Sequence, residues 1–179
     1  MSYLGIIGTS RSGGQTAQLV REVFSELDDG QIIDLNAMNI GYFDYDYGNQ
    51  GDDFLPIAQM MMRAETIVLA SPVYWYSMSA QMKAFIDRFN DLTGPYKPLG
   101  KRLAGKRLYL VATGGQPTVP KSFDQPFIDL ANYFDMRWGG MLYQQMRFDD
   151  LAVATNRETA DFAQSVKSPI DLREAMLSI

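Results

Sequence analysis

The chain has 179 residues, 46% of them hydrophobic and 21% charged, which excludes a disordered polymer and predicts one domain over 1–179 whose core needs no staples. It contains no cysteine and no histidine, which excludes disulfides, thiolate nucleophiles, Cys-ligated zinc or iron–sulfur centres, a Ser-His-Asp triad and imidazole acid–base chemistry, so no metal site is expected. The formal net charge of −5 argues against nucleic acid as a partner, no apolar run approaches the ~20 residues of a membrane span, and MSYLGIIGTS lacks the basic start of a signal peptide, so a cytoplasmic protein is expected.

The first apolar run, 3–8 (YLGIIG), predicts a strand, because parallel strands covered on both faces read as short continuous apolar runs. A helix follows over 15–27, with Leu19, Val20, Val23, Phe24 and Leu27 at helical spacing. The second strand is expected at 31–35 (QIIDL). A helix over 53–64 opens on Asp53, an N-cap candidate, and carries Pro56 within its first turn, where a missing N–H matters least. Strand three is 66–70 (TIVLA). The helix after it, 78–89, places Met82, Phe85, Ile86 and Phe89 on one face, has Ser77 or Ser79 to cap it, and pairs Lys83 with Asp87 at i,i+4. Strand four is 107–113 (RLYLVAT), followed by a helix over 123–135 and a less cleanly patterned strand over 136–146. Residues 149–158 read as a surface excursion, and Ser168, Pro169 and Asp171 as the start of a last helix. Strand and helix alternate throughout, the signature of a three-layer α/β fold with a parallel sheet.

Ligands bind such sheets at the carboxyl ends of the strands, near the switch in strand order. The loop after strand one, Gly8-Thr9-Ser10-Arg11-Ser12-Gly13-Gly14-Gln15-Thr16, gathers hydroxyls, glycines and an arginine at a helix N-terminus. Unpaired N–H groups and the helix dipole favour an anion there, so the composition is that of a phosphate cradle. Counting from Gly8, the Walker lysine position is Gly14, which disfavours ATP or GTP, and no G-x-G-x-x-G is present. A terminal phosphate monoester suits it best. After strand three, Tyr74, Trp75 and Tyr76 form either a flat wall for a planar ligand or a hydrophobic plug or oligomer contact. After strand four, Gly114-Gly115 lets backbone N–H groups approach a ligand closely. The long loop 41–53 carries three tyrosines and several carboxylates. The carboxylates read as a solvated face, some of the tyrosines as a dimer contact; glycosidase chemistry at Asp44 and Asp46 is remote.

The segment S-P-V-Y-W-Y-S-M-S-A-Q-M-K-A-F-I-D-R-F resembles the signature of the flavodoxin-fold NAD(P)H-dependent oxidoreductases, which include FMN reductases and NAD(P)H:quinone reductases. GTSRSGGQT resembles that family's FMN-phosphate loop and TGG its third flavin loop, so the resemblance covers about residues 3–146. It implies a doubly wound, flavodoxin-like five-stranded parallel sheet in order 2-1-3-4-5 with one FMN at the switch point. Ser10, Arg11, Ser12, Gln15 and Thr16 would hold the FMN phosphate, with backbone help at Gly14. The backbone of Pro72, Val73, Tyr74 and Trp75 would line the pyrimidine and N5 edge of the ring. Thr113, Gly114 and Gly115 would bring N–H groups to O2 and N1. The implied activity is hydride transfer from NAD(P)H through FMN to a small acceptor such as a quinone, a flavin, or an azo or nitro compound. The chemistry would occur on flavin N5, with no catalytic side chain identified, in a homodimer or homotetramer.

Departures from the pattern matter as well. Some quinone reductases protonate the acceptor with a histidine; here a tyrosine or water must serve. The absence of cysteine excludes the iron–sulfur branch. The rivals are a flavodoxin-type single-electron carrier and an FMN-free interaction domain. Carriers of that type flip a peptide toward N5, which a glycine at positive φ eases. Segment 71–81 has no glycine, and Pro72, Tyr74, Trp75 and Tyr76 are expected to resist positive φ, which favours the reductase.

Overall fold

The computed structural model describes residues 2–146 and 157–168; the expectations placed on 149–156 and on 169–171 lie outside them. Five strands, β1 (Tyr3–Ile7), β2 (Gly30–Asp34), β3 (Thr66–Pro72), β4 (Arg107–Gly114) and β5 (Arg137–Gln145), form one sheet in the order β2-β1-β3-β4-β5. Every pairing is parallel. The helices are α1 (Gln15–Ser25), α2 (Phe54–Arg63), α3 (Ala80–Asp87), the single turn α4 (Lys97–Gly100), α5 (Gln125–Tyr133) and α6 (Arg157–Lys167). β1 and β3 are buried along their whole length, as their continuous apolar runs require. β2 is the sheet edge, and only Ile33 within it is buried.

Alternate residues feed opposite layers. Tyr3, Ile7, Val68, Ala70, Val111 and Leu142 pack with Leu19 and Val23 of α1 and with Phe162 and Val166 of α6. Leu4, Ile6, Ile67, Leu69, Leu110 and Ala112 pack on the other side with Phe54 of α2, Phe85 of α3 and Phe127 of α5. Crossovers are right-handed, so stepping from β1 to β2 and then back past β1 to β3 puts α1 and α2 on opposite faces. The winding reverses between β1 and β3, and a crevice opens beyond their carboxyl ends.

Two expectations need correction. The surface excursion expected over 149–158 gives way at Arg157 to the last described helix, which runs Arg157–Lys167; Ser168 closes it, its N–H and its hydroxyl both donating to the Gln164 carbonyl at 2.9 and 3.0 Å. The further helix expected to start at Ser168 falls on residues outside the described ones. The helix expected over 78–89 begins on the Ser79 cap and ends at Asp87, after which Arg88–Leu92 tightens into a 3-10 turn.

That tightening buries Arg88, which is 2% exposed. Its guanidinium pairs with Asp52 and with Asp91 (2.8 Å), donates to the Gly41 carbonyl (3.1 Å), and lies 4.8 Å from the centre of the Phe54 ring. Burial works to lower its pKa, but hydrogen bonds to Asp52 and Asp91 outweigh it and raise the value. Loop 41–53 is thereby pinned at its base. Asp44 accepts from the N–H groups of Asp46 and Gly48 and from the Asn49 amide, so this carboxylate organises its own loop.

Candidate functional site

Serines of the 71–79 segment tie the loop after β3 to the first loop. Ser79 caps α3 by accepting from the Met82 N–H (3.1 Å), and its hydroxyl donates to the Gly8 carbonyl (2.6 Å). Ser71 accepts from the Ser79 N–H at 2.9 Å. Gly8 is required for this contact: a Cβ there would lie 2.9 Å from the Met82 backbone. These serines are therefore architectural and set the distance between the first loop and α3.

In the first loop, α1 starts from Gly14, which is extended (φ −73°, ψ 170°), and no side chain caps it. The Thr16 and Ala17 N–H groups have no intrahelical partner, and the helix dipole places partial positive charge at them. Arg11 is exposed and takes part in no ion pair among the described residues. The buried hydroxyls of Thr16 and Thr113 lie 2.7 Å apart. One proton fills that bond and the other is left to donate. Ser10 shares a hydrogen bond of 3.1 Å with the Tyr74 hydroxyl, bridging the first loop to the aromatic segment.

A cleft of about 590 Å³ joins these parts. Of the residues singled out from sequence, Ser10, Arg11, Gly14, Gln15 and Thr16 line its floor, Pro72, Val73 and Tyr74 one wall, and Thr113, Gly114 and Gly115 the other. Ser12 does not line it. Its hydroxyl accepts from the Asn36 amide at 3.2 Å and its carbonyl from Arg21 at 2.9 Å, which turns it toward the end of β2 rather than into the cleft. A neighbouring cleft of about 410 Å³ shares Val73, Gly114 and Gly115 and is walled by Trp75, Tyr76, Gln116, Pro120 and Tyr143. Trp75 belongs to this second cleft.

The aromatic segment departs from its expected backbone. Trp75 and Tyr76 have φ of 48° and 68°. Tyr74 and Ser77 exchange both backbone hydrogen bonds across them, at 2.9 and 3.1 Å. Positive φ at both central residues of a two-residue loop is the type I′ arrangement, normally left to Asn and Gly. Bulk does not exclude positive φ here, because two ladder bonds hold the turn closed. The indole is 93% exposed, so the strain presents an aromatic face to solvent at the cleft rim.

The backbone of β4 sorts the donors proposed for 113–115. Thr113 gives its carbonyl to the Val73 N–H at 2.7 Å. The trans peptide then turns the Gly114 N–H toward β5, away from the cleft. The Gly115 N–H is the first of the loop to face the other way. Sequence reasoning did not reach Tyr143 and Gln145 of β5, whose side chains donate to the carbonyls of Gln116 (2.7 Å) and Gly115 (3.1 Å). Burial raises the Tyr143 pKa despite its hydrogen bond to Gln116.

A flavodoxin-like sheet with an uncapped, lysine-free helix start and an adjoining aromatic cleft has the donors and the room for a phosphate-bearing planar cofactor, as in the class of FMN-dependent oxidoreductases. The model of the family described as NADPH-dependent FMN reductase matches residues 1–138, and the chain belongs to that family. It is an oxidoreductase whose cofactor is FMN. YwqN of Bacillus subtilis (strain 168), provisionally named an NAD(P)H-dependent FMN-containing oxidoreductase, is 28% identical over 150 residues, covering 78% of this chain and 82% of its own. Among solved structures, a Trp repressor binding protein from Bacillus subtilis superposes with a TM-score of 0.72 at 23% identity, over 95% of this chain and 100% of that one. An NADPH-quinone reductase from P. pentosaceus does so at 0.66 and 17% identity, over 94% and 99%.

The residues present fit FMN. Side chains at Gly13 or Gly115 would project into open space, so the cleft has room beside both the cradle and the last loop. Among the described residues, no helix is long and apolar enough to cross a membrane.

Proposed function

We propose that this enzyme takes a hydride from NADH or NADPH and delivers it through FMN to a small planar acceptor, a quinone, flavin, azo or nitro compound, and that it works as a homo-oligomer. The observation that carries the proposal is the second cleft. It opens beside the cradle, shares the Val73 and Gly114–Gly115 walls with it, and is faced by Trp75, Tyr76 and Tyr143. A planar nicotinamide or quinone finds an aromatic surface there at the same strand ends as the cofactor. The structural neighbour named an NADPH-quinone reductase supports the quinone within this class. The exposed Tyr42 and Tyr45 at the tip of loop 41–53 support a second copy as their cover.

FMN, when bound, supplies the redox chemistry at its N5 edge, and the protein supplies position and charge. Arg11, Ser10, Gln15 and the Thr16–Thr113 pair would hold the phosphate, with the N–H groups of the first turn of α1. Pro72, Val73 and Tyr74 would flank the ring. The N–H groups after β4 would face its pyrimidine edge, where donors stabilise negative charge.

Anaerobic mixing of the FMN-loaded protein with NADH or NADPH tests the proposal. Direct bleaching, reversed by a quinone, is the expected result. No bleaching by either nucleotide, with efficient one-electron exchange to a redox protein, would make the chain an electron carrier.

A further inference from the structure

We infer that Gln145 and Tyr143 of β5 are positioning residues: they hold the loop after β4 so that the amides of Gly115 and Gln116 point away from β5 into the cofactor cleft. The inference rests on the FMN reading above.

Three consecutive carbonyls from the last residue of β4 onward are each claimed by β5 or by the residue that follows it. The Gly114 carbonyl accepts from the Met146 N–H at 2.8 Å, the Gly115 carbonyl from the Gln145 side-chain amide at 3.1 Å, and the Gln116 carbonyl from the Tyr143 hydroxyl at 2.7 Å. There are no cis peptides among them, so each peptide N–H lies opposite its carbonyl. The Gly114–Gly115 peptide therefore directs the Gly115 N–H away from β5, and the Gly115–Gln116 peptide does the same for Gln116. Both then face the side on which Val73 and the 74–77 turn stand. The third peptide ends on Pro117, which has no N–H. Tyr143 thus sets the course of the loop, while Gln145 aims a donor.

The glycines explain why such anchors are needed. Gly114 and Gly115 leave these peptides free to rotate, and a Cβ on Gly115 would meet nothing within 4 Å. Neither sterics nor sheet pairing fixes the Gly115–Gln116 peptide. The Gln145 amide does so from outside the cleft, without itself lining it.

Two amides preset toward one edge of the ring act more strongly on a charged state than on a neutral one. Reduced FMN carries negative charge at its pyrimidine edge, so the anchors favour reduced over oxidised cofactor. They do so with side chains that do not line the cofactor's own cleft.

The test uses FMN-loaded wild type and the double variant Tyr143→Phe/Gln145→Met, which removes both donors at similar volume. Oxidised FMN affinity is measured by titration, and the ratio of reduced to oxidised affinity by equilibrium against a reference dye. Affinity for oxidised FMN should stay within about twofold. The ratio should fall roughly three- to tenfold, the scale of a lost hydrogen bond, which lowers a two-electron potential by about 15–30 mV. Gln145→Met alone should carry the larger share. Equal weakening of both states shows a merely structural role and overturns the inference, as does an unchanged ratio. Wild type that holds no FMN at all would instead reject the reading on which the inference stands.

Discussion

The strained turn at Tyr74–Ser77 makes a prediction whose sign depends on the substituent. Trp75 sits at φ 48° and is 93% exposed, so its replacement forfeits almost no buried area. A left-handed residue other than Gly or Asn costs about 1–2 kcal/mol. Asn is the preferred first central residue of a type I′ turn, and Trp75→Asn should recover about 1 kcal/mol. In a domain of this length that raises Tm by about 2–4 °C. Trp75→Val exposes no more surface but places a β-branched side chain in the same backbone well. It should lose about 1 kcal/mol and lower Tm by a similar interval. Both variants remove the indole from the rim of the second cleft, so both should raise KM for a planar quinone while oxidised FMN still binds. Thermal melts followed by far-UV circular dichroism, paired with steady-state kinetics, measure the two effects. The reasoning fails if Asn melts at or below wild type, or if Asn and Val shift Tm alike. A stabilised variant with a poorer KM would show that the turn holds its strain for the sake of the indole.

Arg11→Ala should weaken FMN binding by roughly 10- to 100-fold, the loss of one charge-assisted phosphate contact, with an unchanged melt of the apoprotein; titration with FMN reads the first and calorimetry the second. Arg88→Met leaves Asp52 and Asp91 buried without their partner and should cost about 3–5 kcal/mol, visible as a large drop in the urea midpoint, whereas a change within 1 kcal/mol would show that water reaches the site. The folded state holds the Tyr143 proton above the ordinary tyrosine value, so its contribution to stability is complete at neutral pH and is lost as pH rises beyond about 10, where the unfolded chain ionises first. Urea midpoints compared between pH 8 and 11 should therefore fall more steeply for wild type than for Tyr143→Phe.

What the sequence disclosed was governed by local chemistry. β1 and β3 were legible because strands covered on both faces must be apolar throughout. The cap on α3 was narrowed to two serines, and the fold selects Ser79, whose hydroxyl also reaches Gly8. The first loop was legible as part of the crevice because its glycines and hydroxyls stand between a strand end and a helix start, and most of them line the first cleft. α6 was missed because RETADFAQSVK has a single aromatic among mostly polar residues and reads as surface; its burial includes Phe162 meeting Tyr109 edge-on at 5.5 Å, a contact 53 residues distant in sequence that only the assembled sheet creates. The I′ turn was misread because propensity speaks for Asn-Gly, and the two cross-turn hydrogen bonds of Tyr74 and Ser77 override it. β5 was blurred by its glycines. Gly139 lies where a Cβ would meet the Tyr109 ring at 2.3 Å, Gly140 has φ +114°, and the β4–β5 register slips beside them. The roles of Tyr143 and Gln145 depend on that register, so no local pattern announces them.

The single Ser79 hydroxyl that both receives the α3 cap and grips Gly8 has a kinetic consequence. The first loop and the loop after β3 are clamped to each other by protein groups, Gly8, Ser71 and Ser79. A clamp that depends on no cofactor atom leaves no slow rearrangement for cofactor capture. Apoprotein should take up FMN in one phase that is linear in FMN concentration, and exchange of cofactor between protein molecules should run at the dissociation rate alone. A Ser79→Ala chain, with the clamp opened, should show a second, concentration-independent phase as the two loops find each other around the incoming phosphate.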